Sequence, residues 1–413
     1  MDVLIIGGGL TGLTTALVLA ERGHRVEIFE AKASTCRAAS YSVVALSGAR
    51  TPLSAIEPLP AVERIRRRAF ANDGALRWSA RAALRHAGFV REALRCSTAE
   101  SAEQNARDLN AASLLADQLL SDLVGRHGLK MQPSIGLLTL SDDALPEKGP
   151  DESDLDDRLA KAALPALAET PFYRHARFNP DARAFSASLL ARQVKERLTL
   201  FPGVKIHTND PVAALDVNSC GAVVGLRLDS GRSFSGDAVV VAAGVESARF
   251  LSEDALGSSC TAPLSRPMIT AALRPEAGQT RVGLICKGLF CAPSGEMLRA
   301  VGPWMLGREN EVKLEDAYRA LWNIAVAALP QAADWTKCRY HVQSVLGNPD
   351  GLGSVGPTLK PGLWCNAAGG MHGADFCALY AELLADLLDG QSSSRTPVDA
   401  WAGRLSPLRY SGT

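Results

Sequence analysis

Six residues near the start of the chain, Gly7-Gly8-Gly9-Leu10-Thr11-Gly12, have the spacing G-x-G-x-x-G. That spacing suits one task, bringing a peptide backbone against a diphosphate. Gly7 permits a tight turn, and Gly9 lacks the Cβ that would hold the backbone away from a pyrophosphate. Gly12 lets a helix pack closely on a strand. The helix N-terminus then offers unpaired N–H groups and the positive end of its dipole. Glu30 can accept hydrogen bonds from an adenosine ribose, and its charge disfavours a 2′-phosphate, which argues against NADP.

These residues work only if the elements around them are right. Asp2-Val3-Leu4-Ile5-Ile6 is a short apolar run, read as a buried parallel strand. Leu13 to Ala20 follows with helical spacing, and Gly23 closes the helix. Arg25 to Phe29 is a second strand, ending at Glu30 with Ala31 beside it. Strand, glycines, helix, strand and terminal acid therefore occur in order, the context that turns a common glycine pattern into a nucleotide site.

Two further stretches favour FAD over NAD. Gly221 to Leu228, the turn Asp229-Ser230-Gly231-Arg232 and Asp237 to Gly244 read as a β-meander that returns to the sheet. It ends on the small residues Ala242, Ala243 and Gly244, which place little bulk near a nucleotide. Gly362 to Gly373 is a strand ending in Gly369-Gly370-Met371-His372-Gly373 ahead of a helix from Ala374 to Leu388. A second glycine-led helix start of this kind can face the flavin pyrimidine ring, where negative charge develops on reduction.

With these motifs in hand, the chain resembles the FAD-dependent D-amino acid oxidase superfamily, in the branch with D-amino acid dehydrogenases, glycine oxidase and sarcosine oxidase. The glycine turn, the Val239-Val240-Val241-Ala242-Ala243-Gly244 strand, Asn348-Pro349-Asp350-Gly351 with Val355-Gly356-Pro357, and the loop Gly369–Gly373 carry the resemblance. The resemblance implies an α/β fold, with a Rossmann-type FAD-binding domain and a discontinuous, antiparallel-sheet α+β substrate domain. It divides the chain into residues 1–58, 176–260 and 338–395 for FAD, residues 59–175 and 261–337 for substrate, and a C-terminal tail at 396–413. Ala39, Ser40, Tyr41 and Ser42 fall where the family places residues beside the flavin phosphates and ring, and Val212 would meet the adenine through its backbone. Cys338 lies near a position of covalent attachment in the family, but its spacing to Asp350 does not fit, so FAD is expected to be non-covalent.

The activity implied is oxidation of a C–N bond in a small amine or amino acid by hydride transfer to flavin N5, giving an imine that water hydrolyses. Electrons would pass on to oxygen, a quinone or a partner protein. Such chemistry asks the protein for orientation and electrostatics rather than a catalytic triad. His372 is the strongest local candidate for tuning the flavin, with Tyr41, Met371 and Trp304 as pocket walls. Relatives that bind amino acids carry an Arg five residues before the Asp of the Asp-Gly pair. Here that position is Val345, which cannot clamp a carboxylate. Strand alternation puts Arg339, His341, Gln343 and Val345 on one face, so Arg339 or His341 can substitute if the strand is shifted.

Composition narrows the remaining classes. The 413 residues carry 44 basic and 44 acidic side chains, so nothing points to nucleic acid or an anionic membrane. No apolar run is long enough to cross a bilayer. The first strand starts at residue 2, leaving no room for a signal peptide, so a cytoplasmic chain is expected, with peripheral contact to the inner membrane left open. Nine cysteines, none in C-x-x-C, read as reduced thiols, and no structural zinc is expected.

Elsewhere, Gly74 to Leu129 predicts two or more helices, Glu147 to Asp157 a solvated acidic loop, and Phe185 to Leu198 an amphipathic helix. Leu264 to Trp304 predicts an antiparallel sheet, and Tyr318 to Ala328 a helix. Two other functions fit the same pattern. One is an FAD-binding electron-transfer subunit of a multi-chain dehydrogenase. The other is a flavin monooxygenase or tRNA-modifying oxidoreductase, although a tRNA partner would call for a basic patch.

Overall fold

A computed structural model of the protein describes residues 1–33, 43–46, 76–96, 98–131, 134–145, 148, 151–169, 172–256, 260–274, 281–367, 369–390 and 398–411. Its centre is a six-stranded sheet. The strand order is Ser354–Pro357, Leu363–Ala367, Ala238–Val241, Asp2–Ile6, Arg25–Glu30, Val204–Thr208. All neighbours are parallel except the first pair. A parallel sheet needs cover on both faces, and the first strand shows how the sequence provides it. Val3 and Ile5 point into a helical layer made by Leu10–Glu21, Ala99–His127, Ala187–Leu198 and Cys377–Asp389. Leu4 and Ile6 point the other way, into the three-stranded meander Val212–Val217, Val223–Leu228 and Ser233–Ser235. The expected α/β architecture is therefore present.

A second, ten-stranded and mainly antiparallel sheet carries the other half of the fold. Its long strand Ala262–Ala272 pairs with Met297–Val301 through Met268–Ala272, with Trp304–Leu306 through Leu264 and Ser265, and with Arg339–Gly347 from Ala262 to Thr270. Ile269, Ala271, Leu298 and Ala300 bury one face of this sheet against Leu321, Ala325 and Ala328 of the helix Leu314–Ala328. Tyr340 packs edge-on against Tyr318 on the same side. The opposite face is left for the groove described below. The strand Arg339–Gly347 thus pairs with the antiparallel sheet, although residues from 338 onward are expected in the FAD part.

Several elements differ from expectation. In the acidic stretch Glu147 to Asp157, Ser153–Leu155 is an edge strand paired with His175–Asn179, not a solvated loop. Arg177 explains the difference, because it reaches Asp154 at 2.7 Å and Glu152 at 3.6 Å across the ladder. Phe185 belongs to the strand Arg183–Ser186 rather than to a helix. The helix begins at Ala187 because the Ser186 hydroxyl accepts from the Leu189 N–H and caps it. Gly74 to Leu129 yields three helices, Ala80–Arg85, Ala87–Arg95 and Ala99–His127, the last ending at left-handed Gly128. Residues 398–411, expected as a tail, pack tightly. Trp401 and Leu405, one helical turn apart, enter the main core.

No helix among the described residues is long and apolar enough to cross a membrane. The first and last long helices are joined by charge as well as by apolar contact. Arg22 reaches Glu382 at 2.7 Å, Asp386 at 2.7 Å and Asp389 at 3.1 Å, and Arg126 adds a contact to Glu382 at 3.1 Å. Burial alone would raise the Glu382 carboxyl, but hydrogen bonds from Arg22 and Arg126 outweigh it and hold the group below its usual 4.5. The sign follows from linkage. This stabilisation is present above pH 4.5 and is lost as pH falls through the lower, folded value. Arg22→Ala should therefore cost about 3 kcal/mol in denaturant unfolding at neutral pH. It should also move the acid limb of the stability profile upward. Coincident acid limbs for the two proteins would count against the network.

Candidate active site

The glycine turn is built from backbone closeness. Gly7 has φ of 117°, a left-handed conformation that glycine adopts without strain. Its N–H donates to the Phe29 carbonyl at 2.9 Å, fastening the first strand's end to the second's. A Cβ on Gly7 would lie 2.4 Å from the Ala242 carbonyl oxygen, and one on Gly12 only 2.0 Å from the Gly7 oxygen. Gly9 is different, since a Cβ there would meet nothing within 4 Å. The helix starting at Leu10 has no side-chain cap and no acid in its first turn, so its leading N–H groups remain available to an anion. Gly7 and Gly12 are thus small for packing, and Gly9 for open space on the groove side.

Around this turn runs a continuous groove. It is walled by Gly7, Gly9, Leu10, Thr11, Glu30, Ala31, Val212, Ala243, Gly244, Gly370 and Gly373, all expected at the nucleotide. Glu30 accepts from the Gly8 N–H at 2.9 Å and the Lys32 N–H at 3.0 Å, which fixes its carboxylate at the groove's edge. Gly12 sits behind the wall as packing. Ala39, Ser40, Tyr41 and Ser42 lie outside the described residues. Met371 falls in the short turn Gly370–His372.

The groove continues past the glycine turn to the antiparallel sheet, where Arg266, Gln343, Ser344, Val345 and Leu346 form its wall. Opposite residues of an antiparallel pair share a face. The pairs Leu264–Val345, Arg266–Gln343, Met268–His341 and Thr270–Arg339 therefore put the four expected strand residues on the groove side of the sheet. Of these, Gln343 and Val345 reach the groove, while Arg339 and His341 do not line it. Burial, then the charges of Arg299 and Arg339, push the His341 imidazole below its usual value, so it is neutral near pH 7.

His372 also stands off the wall. It is buried, stacked on Phe376 at 5.3 Å, with Nδ1 3.3 Å from Asp375 Oδ2. Trp304 is buried too, beneath the Arg266 guanidinium at 4.4 Å. Arg266 is the principal residue that sequence reading passed over. An arginine inside the run Ala262-Pro263-Leu264-Ser265-Arg266-Pro267-Met268-Ile269 is itself a signal, because charged groups seldom enter such strands without a task. Lys32, Glu246 and Arg249 also line the groove, and no motif marks them.

Comparison with known proteins agrees with this geometry. The family model described as FAD dependent oxidoreductase (DAO) matches residues 2–387. The chain belongs to this family. It is 26% identical to D-amino acid dehydrogenase 2 of Ralstonia nicotianae over 94% of this chain and 96% of that protein. Among solved structures it resembles glycine oxidase from Geobacillus kaustophilus, with a TM-score of 0.68, 20% identity and 95% of each chain covered. It also resembles iminodiacetate oxidase from Chelativorans sp. BNC1, with a TM-score of 0.65, 18% identity and 98% of each chain covered. At those identities the structural likenesses speak for the fold.

The glycines make a paired prediction. Gly9→Ala places a methyl in open space, so the apoprotein should melt within about 2 °C of wild type. FAD affinity should nevertheless fall at least about tenfold, because the methyl stands where a pyrophosphate would approach. Gly12→Ala should instead lower the melting temperature of the apoprotein. Thermal melts with and without FAD, together with flavin titration, separate the two. A Gly9→Ala protein that binds FAD normally would overturn this reading of the groove.

Proposed function

We propose that the chain holds FAD non-covalently along this groove and oxidises the C–N bond of a small amine or amino acid, with the imine product released to hydrolysis. The observation that carries the reading is the continuity of the groove from the glycine turn and Glu30 to the side chains of the antiparallel sheet. A dinucleotide lying on the turn would direct its far end toward that sheet. The relatives' names point the same way, since they describe a dehydrogenase or oxidases of amino and imino acids.

The donor set fits the cofactor. The leading N–H groups of the helix Leu10–Glu21 and the open side of Gly9 would receive the pyrophosphate. Glu30 would take the ribose hydroxyls. Val212, Ala243 and Gly244 would flank the adenine half, and Gly370 and Gly373 would lie by the flavin half. Bound there, FAD supplies a two-electron acceptor for the substrate's C–H bond. The chain's own part is to hold and orient. The titratable side chains lining the groove are Glu30, Lys32, Glu246, Arg249, Arg266 and Tyr380, and the Tyr380 hydroxyl is engaged by the Gly353 N–H at 2.9 Å. Among the described residues no imidazole lines the groove, and its two carboxylates are engaged by the fold: Glu30 accepts from the Gly8 and Lys32 N–H groups, and Glu246 pairs with Arg308 at 2.9 Å. The amine would then arrive neutral or give its proton to water, and positioning would carry the rate.

An anaerobic screen tests this reading. Purified holoprotein is mixed with D- and L-amino acids, N-methyl amines and cyclic imino acids, and the visible flavin absorbance is followed. At least one compound should bleach the flavin within seconds, and repeating that reaction in air separates an oxidase from a dehydrogenase. A flavin that none of these compounds reduces would sink the proposal in favour of an electron-transfer subunit.

A further inference from the structure

At its sheet end the groove carries a guanidinium with no ion-pair partner among the described residues. Arg266 lies inside the strand Ala262–Ala272, whose other residues are mostly buried. Its Nε–H donates to Gln343 Oε1 at 2.8 Å, and its plane rests over the Trp304 ring at 4.4 Å. These contacts use Nε and one π face. The two terminal NH₂ groups make no hydrogen bond among the described residues. Asp375 is the acid that acts on it electrostatically, but that carboxyl is turned to His372 at 3.3 Å and is itself pushed up by burial. Burial pushes the Arg266 guanidinium down to about 10, which still leaves it charged at neutral pH. A desolvated cation held rigid on one side and unpaired on the other is stabilised by whatever anion reaches it.

The surroundings define that anion. The Arg266–Gln343 pair is next in register to Leu264–Val345, about 7 Å further along the strands, so the charge has an apolar wall beside it. Gly347, at the end of the same strand, bridges to Gly369, joining this wall to the glycine loop that would flank the flavin. A planar fork in such a place matches a carboxylate, two oxygens to two N–H groups.

We propose that Arg266 is the carboxylate anchor of this protein, and that its substrates are amino or imino acids rather than plain amines. The anchor has moved to the strand neighbouring Val345, with Gln343 and Trp304 as positioning residues that aim it. This assignment rests on the oxidative reading above, and its test is separable from that reading because it needs no turnover.

The test measures acetate, with acetamide as the uncharged counterpart, binding to oxidised holoprotein by calorimetry and by the flavin difference spectrum. Wild type should bind acetate and not acetamide. Arg266→Gln should weaken acetate at least about 30-fold with FAD content unchanged. Arg266→Lys should recover part of the affinity as a point charge without the fork. Gln343→Leu, which leaves the charge in place but frees its orientation, should cost less than Arg266→Gln and serves as a second probe should that variant fold poorly. Unchanged acetate affinity in Arg266→Gln, or equal binding of acetate and acetamide to wild type, overturns the proposal. Acetate affinity retained while the flavin is lost, or while its reduction potential shifts, also overturns it, because the guanidinium would then serve the cofactor. If acetate binding depends on Arg266 and no amino acid bleaches the flavin, the anion site stands and the oxidation reading fails.

Discussion

Three backbone segments meet at the glycine turn with no room for a side chain. The Gly7 carbonyl occupies the space of a Gly12 Cβ, and the Ala242 carbonyl occupies the space of a Gly7 Cβ. Through these two contacts the first strand, the first helix and the strand Ala238–Val241 become one rigid corner. Every wall of the groove is referenced to it. Ala243 and Gly244 follow directly from the close approach at Ala242, and Glu30 is set by the bond from Gly8. Widening the corner by a methyl would shift the helix axis and with it the N–H groups that face the groove. The open space at Gly9 has value only because its neighbours are immovable.

The C-terminal half is bound to that corner by buried charge. Arg22, at the end of the first helix, gathers three carboxylates from the helix Cys377–Asp389. Arg409 grips Asp350 with two contacts at 2.8 and 2.9 Å, closing the turn after the strand Arg339–Gly347. Asn348 braces the same turn through the Leu352 carbonyl at 2.8 Å and Ser354 Oγ at 2.9 Å. Buried pairs of this kind contribute little net stability over apolar packing, but breaking one side is costly. Their effect is to hold one geometry, in which the glycine loop at 369–373 and the sheet-side wall are fixed relative to the glycine turn.

Local periodicity made the nucleotide half legible. An apolar strand, a glycine turn and an acid at the next strand's end each have a mechanical reason to follow one another, so the groove walls at Gly7, Gly9 and Glu30 could be named from spacing, whereas Val212 came only with the family resemblance and Lys32 was not marked at all. The strand face carrying Gln343 and Val345 was also accessible, because alternation in a strand is strict. What escaped was contact across strands. Arg339 and His341 share that face but stand too far along it, and only the register with Ala262–Ala272 shows this. Arg266 belongs to a different segment altogether, and its meeting with Gln343 follows from a pairing 77 residues apart in sequence. His372, expected beside the flavin, is instead drawn inward by Phe376, which stacks on it one helical turn later. The acidic stretch near Asp154 was misread for the same reason, since Arg177 on the partner strand cancels the charge that suggested a loop.

The two halves of the groove make complementary electrostatic demands. At the nucleotide end a negative ligand would meet backbone dipoles, weak individually and dependent on a fixed corner. At the sheet end the positive charge is whole, carried by one side chain and kept in place by an amide and an aromatic ring. A substrate that is anionic at one atom and neutral at its nitrogen would be drawn to the second site without competing for the first. Val345 fits this division. An additional arginine there would set two like charges within about 7 Å, in a region where burial already lowers the proton affinity of Arg266, and each would weaken the other. The apolar residue next to Arg266 would therefore leave that guanidinium without a like charge on the neighbouring strand, as the proposed carboxylate anchor requires.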